Sequence, residues 1–556
     1  MSDAASGISF LQSCANNDAQ DPYGGYVPSS MSSTTTAAER VVTGSHLLVS
    51  GPTGSGKSRR VLGPATVLWD GPVVNVSSKP DLVALCAQQR IDAGGEGRTY
   101  VLDFADAMPV DAMPVDAMPE GATRIYLDPV RLIRDDDDAL EMATMLIDAG
   151  SGEDKSDTFW KSQAIGPLAA LLRAAGADGI RWCVQAKNNY PAGTADGGDP
   201  DRIAHVVLEV AESEHLYDNP YHPELNVECS WLAAALRLSV MPDTTLEHAL
   251  LGAMRKTSGQ ISSIALYMDT AMNAWLKSGS VPPKGAVLFT PTLLQHPRAT
   301  LFIIAPGTGV GTGGALSCFD FILDRWRKNQ TEKRKLPRLL FVVDELCNTA
   351  PWTKLPVVVT EARGMGVAVV AAVQSTQQFS RVFGHDAMLE LRDVFPATLC
   401  LSGASEVYLW DHVDRVRDTY LKAGQDPPPP PPPPASTIDT ACLFYRARPR
   451  NAVTAEEYVS GRVVDLPDIS EIPPTLLPVY DVDAFEDHFK WHRDIDALPD
   501  GVMSVAELFL TDDDVDPDAV PDYVTHMRGP IREHDRAMLH TRTATHASTS
   551  TPGSKE

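Results

Sequence analysis

The sequence predicts an α/β protein: a parallel β-sheet covered by helices on both faces, interrupted by an all-α domain and bounded by flexible termini. Three observations predict it. Short apolar runs alternate with helical patterns, as a sheet buried on both faces requires. A glycine-rich loop, Gly51-Pro52-Thr53-Gly54-Ser55-Gly56-Lys57-Ser58, follows the apolar run His46-Leu47-Leu48-Val49 and leads into a helical pattern. A further run, Arg338 to Val343, ends in the adjacent carboxylates Asp344 and Glu345, 287 residues beyond Lys57.

The loop fits the pattern G-x-x-x-x-G-K-[ST]. Its glycines let backbone N–H groups close around a polyphosphate, Lys57 neutralises the β/γ oxygens, and the Ser58 hydroxyl can hold Mg²⁺. Thr53, Gly54, Ser55, Gly56, Lys57 and Ser58 are therefore the expected nucleotide-binding residues, with ATP and Mg²⁺ as ligands. A strand-end carboxylate can take Mg²⁺ through water, and a following glutamate can polarise an attacking water. Asp344 is accordingly the expected metal carboxylate, beside Ser58, and Glu345 the expected catalytic base.

The elements follow in order. Gly71 to Val76 reads as a strand, Asp81 opens a helix, and Thr99 to Phe104 reads as the next strand. A pentapeptide repeat from Asp106 to Glu120 places a proline every fifth residue, which excludes a regular helix and marks a surface loop. The separation of Lys57 from Asp344 far exceeds the spacing within a plain α/β core, so a domain is inserted. Phe159, Trp160, Ala164, Leu168, Leu171 and Leu172, and Ile261, Ile264, Met268, Met272 and Trp275, recur at helical spacing and predict an all-α insertion with these side chains in its core. The sheet resumes with strands Thr300 to Ile304, Arg338 to Val343, Val367 to Gln374 and Ala397 to Leu401, with a helix from about Ala315 to Arg327 between the first two. Eight prolines, Pro427 to Pro434, form a polyproline II rod of about 25 Å. It is either a stiff loop within the core or a ligand for an SH3-type module, and a strand at Cys442 to Tyr445 follows it. The expected division is a lead-in over 1–42, a nucleotide-binding domain over 43–134 and 281–475, the all-α insertion over 135–280, and an acidic, low-complexity tail over 476–556.

Composition narrows the class. The 556 residues carry 73 Asp and Glu against 47 Lys and Arg, a net charge of −26. That excludes a chain coated in duplex nucleic acid, since such binding rests on cations neutralising phosphates. It leaves open a translocase whose contacts are confined to a pore. Residues 481–528 alone carry fourteen acidic against three basic side chains. The basic cluster Arg325, Arg327, Lys328, Lys333, Arg334, Lys335 and Arg338 reads either as a solvated helix end or as a pore loop. None of the eight cysteines forms a C-x-x-C pair, which fits buried thiols in a reducing compartment. The chain shows neither a signal peptide nor a long uncharged apolar stretch, so a soluble, cytoplasmic protein is expected.

Two more residues complete the expected site. Gln374 ends the strand after the carboxylates, where a polar side chain in this class of ATPase can sense the γ-phosphate. Arg363 lies just before that strand, placed to reach across a subunit boundary and stabilise transition-state charge, which implies a ring. Together with Ser78-Lys79-Pro80-Asp81-Leu82, Thr158-Phe159-Trp160, Val343-Asp344-Glu345-Leu346, Glu361-Ala362-Arg363-Gly364-Met365-Gly366 and Val373-Gln374-Ser375-Thr376-Gln377-Gln378, the loop gives an order of motifs. That order resembles the coupling proteins of type IV secretion and conjugation systems, the TraG/TraD-like family related to FtsK/HerA P-loop ATPases. The resemblance runs over about residues 43–475 and is most specific from Asp344 to Gln378.

The resemblance implies a RecA-like P-loop NTPase core with an inserted all-α domain, assembled as a homo-hexamer. It implies pumping of DNA, single-stranded in form, with a relaxase or DNA-processing complex and secretion channel proteins as partners. Membrane attachment would come through a partner subunit, at the inner face of the plasma membrane. Two features depart from the family: no transmembrane helices precede the loop, and Ser78 stands where many members have Asp. The coupling reading therefore stands beside two others, a soluble FtsK/HerA-type DNA translocase and an ATP-binding adaptor that docks substrates without pumping.

Overall fold

In the computed structural model the apolar runs pair into one twelve-stranded sheet. The structure describes residues 21–28, 38–41, 43–94, 97–105, 118–151, 158–190, 229–239, 241, 244–276, 280–296, 298–305, 312–331, 336–352, 354–427, 429–447 and 458–471. The chain divides into two compact units, one comprising Met1–Leu127 with Leu276–Phe485 and the other Asp128–Trp275 with Glu486–Glu556. The breaks at 127/128 and 275/276 compare with 134/135 and 280/281 in the sequence reading. Most of the pentapeptide repeat and all of the acidic tail lie outside the described residues.

In chain order the strands are β1 Tyr26–Pro28, β2 Ala38–Arg40, β3 His46–Ser50, β4 Val73–Ser77, β5 Thr99–Asp103, β6 Ala122–Ile125, β7 Thr300–Ile304, β8 Leu339–Val343, β9 Val367–Val373, β10 Ala397–Leu401, β11 Thr440–Ala447 and β12 Tyr458–Asp465. Across the sheet they run β2-β1-β12-β11-β10-β3-β9-β8-β4-β7-β5-β6. From β10 to β6 every neighbour is parallel. The remaining four strands continue the sheet antiparallel beyond β10. In β3, β4, β5, β7, β8, β9 and β10 every residue is buried, which is why these strands read as unbroken apolar runs.

Two consequences position the site. The glycine loop leaves the C-terminal end of β3 and the carboxylates leave the C-terminal end of β8, with only β9 between. In a parallel sheet those ends share one edge, where ligands of α/β folds bind. Behind β8, Phe341 packs edge to face on Phe319, with centroids 5.2 Å apart, and Trp352 packs on Phe319 at 5.0 Å. Pairs of this kind contribute about 0.5–1.5 kcal/mol each beyond area burial and hold the strand firmly.

Four strands depart from the sequence reading. β1 and β2 pair within the segment read as a flexible lead-in. β6 and β12 add strands that no apolar run announced. The polyproline segment is built into the fold, because Trp410 Nε1 donates to Pro432 O at 2.7 Å and Cys442 Sγ lies 2.9 Å from Pro433 O. The rod thus links the helix Val407–Lys422 to β11 through contacts of its own chain.

The second unit is all helical among its described residues, with helices Asp136–Ser151, Thr158–Ala175, Gly179–Ala186, Trp231–Ser239, Leu246–Met254 and Ser258–Ala271. Thr158–Ala175 is central and touches the other five. Gly150 permits a close helix crossing, since a Cβ there would lie 2.7 Å from Thr270 O. Ile261, Ile264, Met268, Met272, Trp275, Ala164, Leu168, Leu171 and Leu172 are buried as expected. Phe159 is not: it is 62% exposed, in the first turn of its helix, where it meets Trp160 edge to face. No helix among the described residues is long and apolar enough to cross a membrane.

Candidate active site

The loop from Gly51 to Gly56 is held by its own backbone. Gly51 N–H donates to Val373 O at 3.2 Å, tying the loop to the end of β9, and Ser55 N–H donates to Pro52 O at 3.2 Å. Gly54 and Gly56 have φ of 82° and 90°, the left-handed region that lets successive N–H groups turn inward. At Gly51 a Cβ would meet Ser55 Oγ at 2.6 Å and Leu401 Cβ at 2.9 Å, so any larger residue would open the loop. The helix that follows starts with a wide turn, Gly63 N–H bonding Ser58 O, before Gly63–Leu68 continues as regular α-helix.

Lys57 is buried, and its Nζ donates to Gly51 O at 2.6 Å and Pro52 O at 2.9 Å. Burial lowers its pKa, while the charges of Asp344 and Glu345 work in the opposite sense. Asp344 N–H donates to Val76 O at 2.8 Å, which extends the β8–β4 ladder by one rung and fixes the carboxylate at the sheet edge. Ser58 Oγ donates to Asp344 Oδ2 at 3.5 Å. Burial, then the adjacent Glu345, raises the Asp344 pKa, with Lys57 opposing. A carboxylate so placed gains most from a cation.

Glu345 has φ 49° and ψ 51° and is the one non-glycine residue at positive φ among the described residues. A left-handed L-residue costs roughly 1–2 kcal/mol. Its carbonyl accepts from Asn348 and Thr349 N–H, so the strained residue opens the short helix Leu346–Thr349. Gln374 follows β9 between the two motif strands, and its N–H donates to Gln378 Oε1 at 3.0 Å. Five of the expected features therefore share one edge: the loop, Lys57 with Ser58, Asp344, Glu345 and Gln374.

Arg363 does not join them within its chain. It lies in the turn before β9, where Gly366 N–H donates to Arg363 O, and its charge reaches His46 at the start of β3. That is the opposite end of the sheet, about 20 Å away for a seven-residue strand. The side chain is exposed. Of the basic cluster, Lys333, Arg334 and Lys335 lie outside the described residues, while Arg327 pairs with Glu361 at 3.6 Å and Lys328 with Asp324 at 2.6 Å.

The sequence reading missed two features beside the site. Arg59, next to Ser58, makes a two-pronged contact with Asp468 at 2.8 and 2.6 Å, and Arg60 Nη1 donates to Leu466 O at 2.5 Å. Glu406, in the loop after β10, is 1% exposed and bonds Ser50 and Thr376. A Glu following Gly403-Ala404-Ser405 gives no periodic signal, and a polar loop residue normally faces solvent.

The residues present fit a nucleotide and a divalent cation. The two left-handed glycines form a cradle of amides, Ser55 Oγ is buried with no hydrogen-bond partner among the described residues, and Ser58 faces Asp344 across the loop. Fold and site together define an α/β fold of the P-loop class, with the glycine loop and the strand-end carboxylates at one edge of a parallel sheet. Residues 338–410 match the family model described as the TraM recognition site of TraD and TraG, and this bears out the resemblance to TraG/TraD-like proteins over the stretch where it was most specific. Asp344, Glu345, Arg363, Gln374 and Glu406 all fall within that match.

Among solved structures the chain is similar to the bacterial conjugative coupling protein TrwBdeltaN70 in complex with sulphate, at 17% identity and a TM-score of 0.39, covering 78% of this chain and 80% of that one. It is similar to the plasmid coupling protein TrwB in complex with the ATP analogue ADPNP, at 16% identity and 0.42, covering 78% and 88%. It is also similar to VirB4 of Thermoanaerobacter pseudethanolicus, at 10% identity and 0.35, covering 82% and 99%. At these values the likenesses assign no site and no activity. Comparison with curated proteins gave no match.

Proposed function

We propose that the chain is an ATP-hydrolysing coupling protein of a type IV secretion or conjugative DNA transfer system, which recruits a DNA–protein substrate and drives it toward the channel. The observation that carries the chemistry is the shared edge: Ser58 Oγ stands 3.5 Å from Asp344 Oδ2 although 286 residues separate them. The observation that directs this chemistry to coupling is the family match over residues 338–410, whose description names a recognition site for a partner.

In this reading the amides of Thr53 to Lys57 and the Lys57 ammonium hold the phosphates, and Ser58 and Asp344 hold Mg²⁺. The bound nucleotide supplies a phosphoanhydride and its hydrolysis free energy. The Glu345 carboxylate takes the proton of the attacking water, and the backbone strain at its Cα fixes the direction in which that carboxylate projects. Gln374 reports the γ-phosphate to β9. Arg363, remote from its own loop, acts on the site of a neighbouring subunit in a homo-hexamer. DNA, a relaxase or other DNA-processing complex, and channel proteins are the partners.

The test is DNA transfer from donor cells carrying Lys57→Ala at normal protein levels. Loss of the buried ammonium removes the point cation for the phosphates, and transfer should fall by at least about a hundredfold. Unchanged transfer would overturn the reading.

A further inference from the structure

We infer that Glu406 is a positioning residue, one that locks the turn carrying Gln374 to the end of the phosphate-loop strand. The inference rests on the ATPase reading above and adds to it a buried residue that acts through Ser50 and Thr376. Glu406 Oε1 accepts from Ser50 Oγ at 2.7 Å and from Thr376 N–H at 2.7 Å. Oε2 accepts from Thr376 Oγ1 at 2.5 Å. Arg392 Nε donates to Thr376 Oγ1 at 2.8 Å, and Arg392 Nη2 stands 3.9 Å from Glu406 Oε2. The same guanidinium lies over the Tyr408 ring, 4.1 Å from its centroid.

The positions matter more than the number of bonds. Ser50 ends β3 and immediately precedes Gly51, while Thr376 stands two residues after Gln374. One carboxylate therefore spans both chain segments that meet the γ-phosphate in the reading above. Desolvating a carboxylate is costly, so a buried one must be satisfied on both oxygens. A role confined to the following helix would leave a different pattern. Glu406 is the N-cap of Val407–Lys422, yet its side chain makes no capping bond to that helix. Both oxygens are committed to Ser50 and Thr376 instead. Arg392 completes the network from the helix His385–Val394, so a displacement of the Gln374 turn would be felt by that helix as well.

The test uses the full chain and two kinds of readout. Glu406→Gln keeps the shape and removes the charge; it should lower kcat for ATP about tenfold while leaving KM and nucleotide affinity within about twofold, since only the aim of the sensor turn changes. Hydrogen exchange of the amides from 374 to 378 should rise without any nucleotide, because Thr376 N–H loses a charged acceptor. Ser50→Ala and Thr376→Val each cut one arm but leave the Glu406–Arg392 pair, which guards against a variant that fails to fold, and Thr376→Ser should restore the rate. Combining Ser50→Ala with Glu406→Gln should cost little more than Glu406→Gln alone, because both act through one group.

Three active variants with wild-type kcat and unchanged exchange would overturn the inference and leave the ATPase reading standing. So would a fall in Tm with full kcat per folded molecule. A wild-type chain with no ATP hydrolysis would overturn both.

Discussion

In the proposed mechanism Glu345 combines the role of base with a strained backbone angle. At φ 49° it holds the conformation that glycine adopts freely, directly after the half-buried Asp344. Glu345→Gly should therefore leave stability unchanged or raise it by up to about 1 kcal/mol while abolishing turnover. Glu345→Gln should keep nucleotide affinity and lose turnover, since only water activation is impaired. Thermal melts and ATPase assays on both variants check this, and a Glu345→Gln that lost affinity would mark Glu345 as a ligand. The residues at this scale that were legible in the sequence share a cause. Lys57, Ser58, Asp344 and Glu345 sit in patterns that phosphate and metal chemistry impose on neighbouring positions. Glu406 and Asp468 act through partners hundreds of residues away, and no local pattern records that.

At the scale of elements, legibility followed burial. β3, β4, β7, β8, β9 and β10 are covered on both faces and read directly as apolar runs. β6 is mostly half-buried and carries Thr123 and Arg124, while β12 carries Ser460, Gly461 and Arg462. Strands near or at a sheet edge need no apolar run, so periodicity passed over them. The place of Arg363 follows the same logic, because a residue before a parallel strand stands at the edge opposite the residue after it.

That opposite edge holds a measurable liability. His46, at the start of β3, is buried, and burial with the charges of Arg338 and Arg363 lowers its pKa to about 4. Between pH 6.5 and 4 the unfolded chain binds a proton that the folded chain refuses. Stability therefore falls as pH falls through this window, by at most about 3 kcal/mol from this residue. His296, lowered to about 3 by burial and by Arg98, Arg298 and Arg90, works in the same direction. Tm measured at pH 7 and pH 5 should drop less in His46→Leu than in wild type. An equal drop would show that His46 is not the group being titrated.

At the scale of the whole molecule, the sheet separates Arg363 from the phosphate loop of its own chain. Gln374 and Arg363 stand at opposite ends of β9, an arrangement that suits subunits facing one another in a ring. If the proposed ring forms, mixing Arg363→Ala with Glu345→Gln subunits should restore part of the hydrolysis that each lacks alone, because some interfaces would then pair an intact Arg363 with an intact Glu345. No recovery over a range of ratios, with mixed assembly confirmed, would mean that Arg363 does not act across subunits.

In the proposed function this edge of the sheet hydrolyses ATP in the service of DNA movement. The most direct measurement is steady-state ATP hydrolysis by the purified full chain with and without single-stranded DNA, alongside Lys57→Ala. Turnover should rise at least several-fold with DNA and vanish in the variant. Equal turnover in Lys57→Ala, or none in the wild-type chain with DNA present, would contradict it.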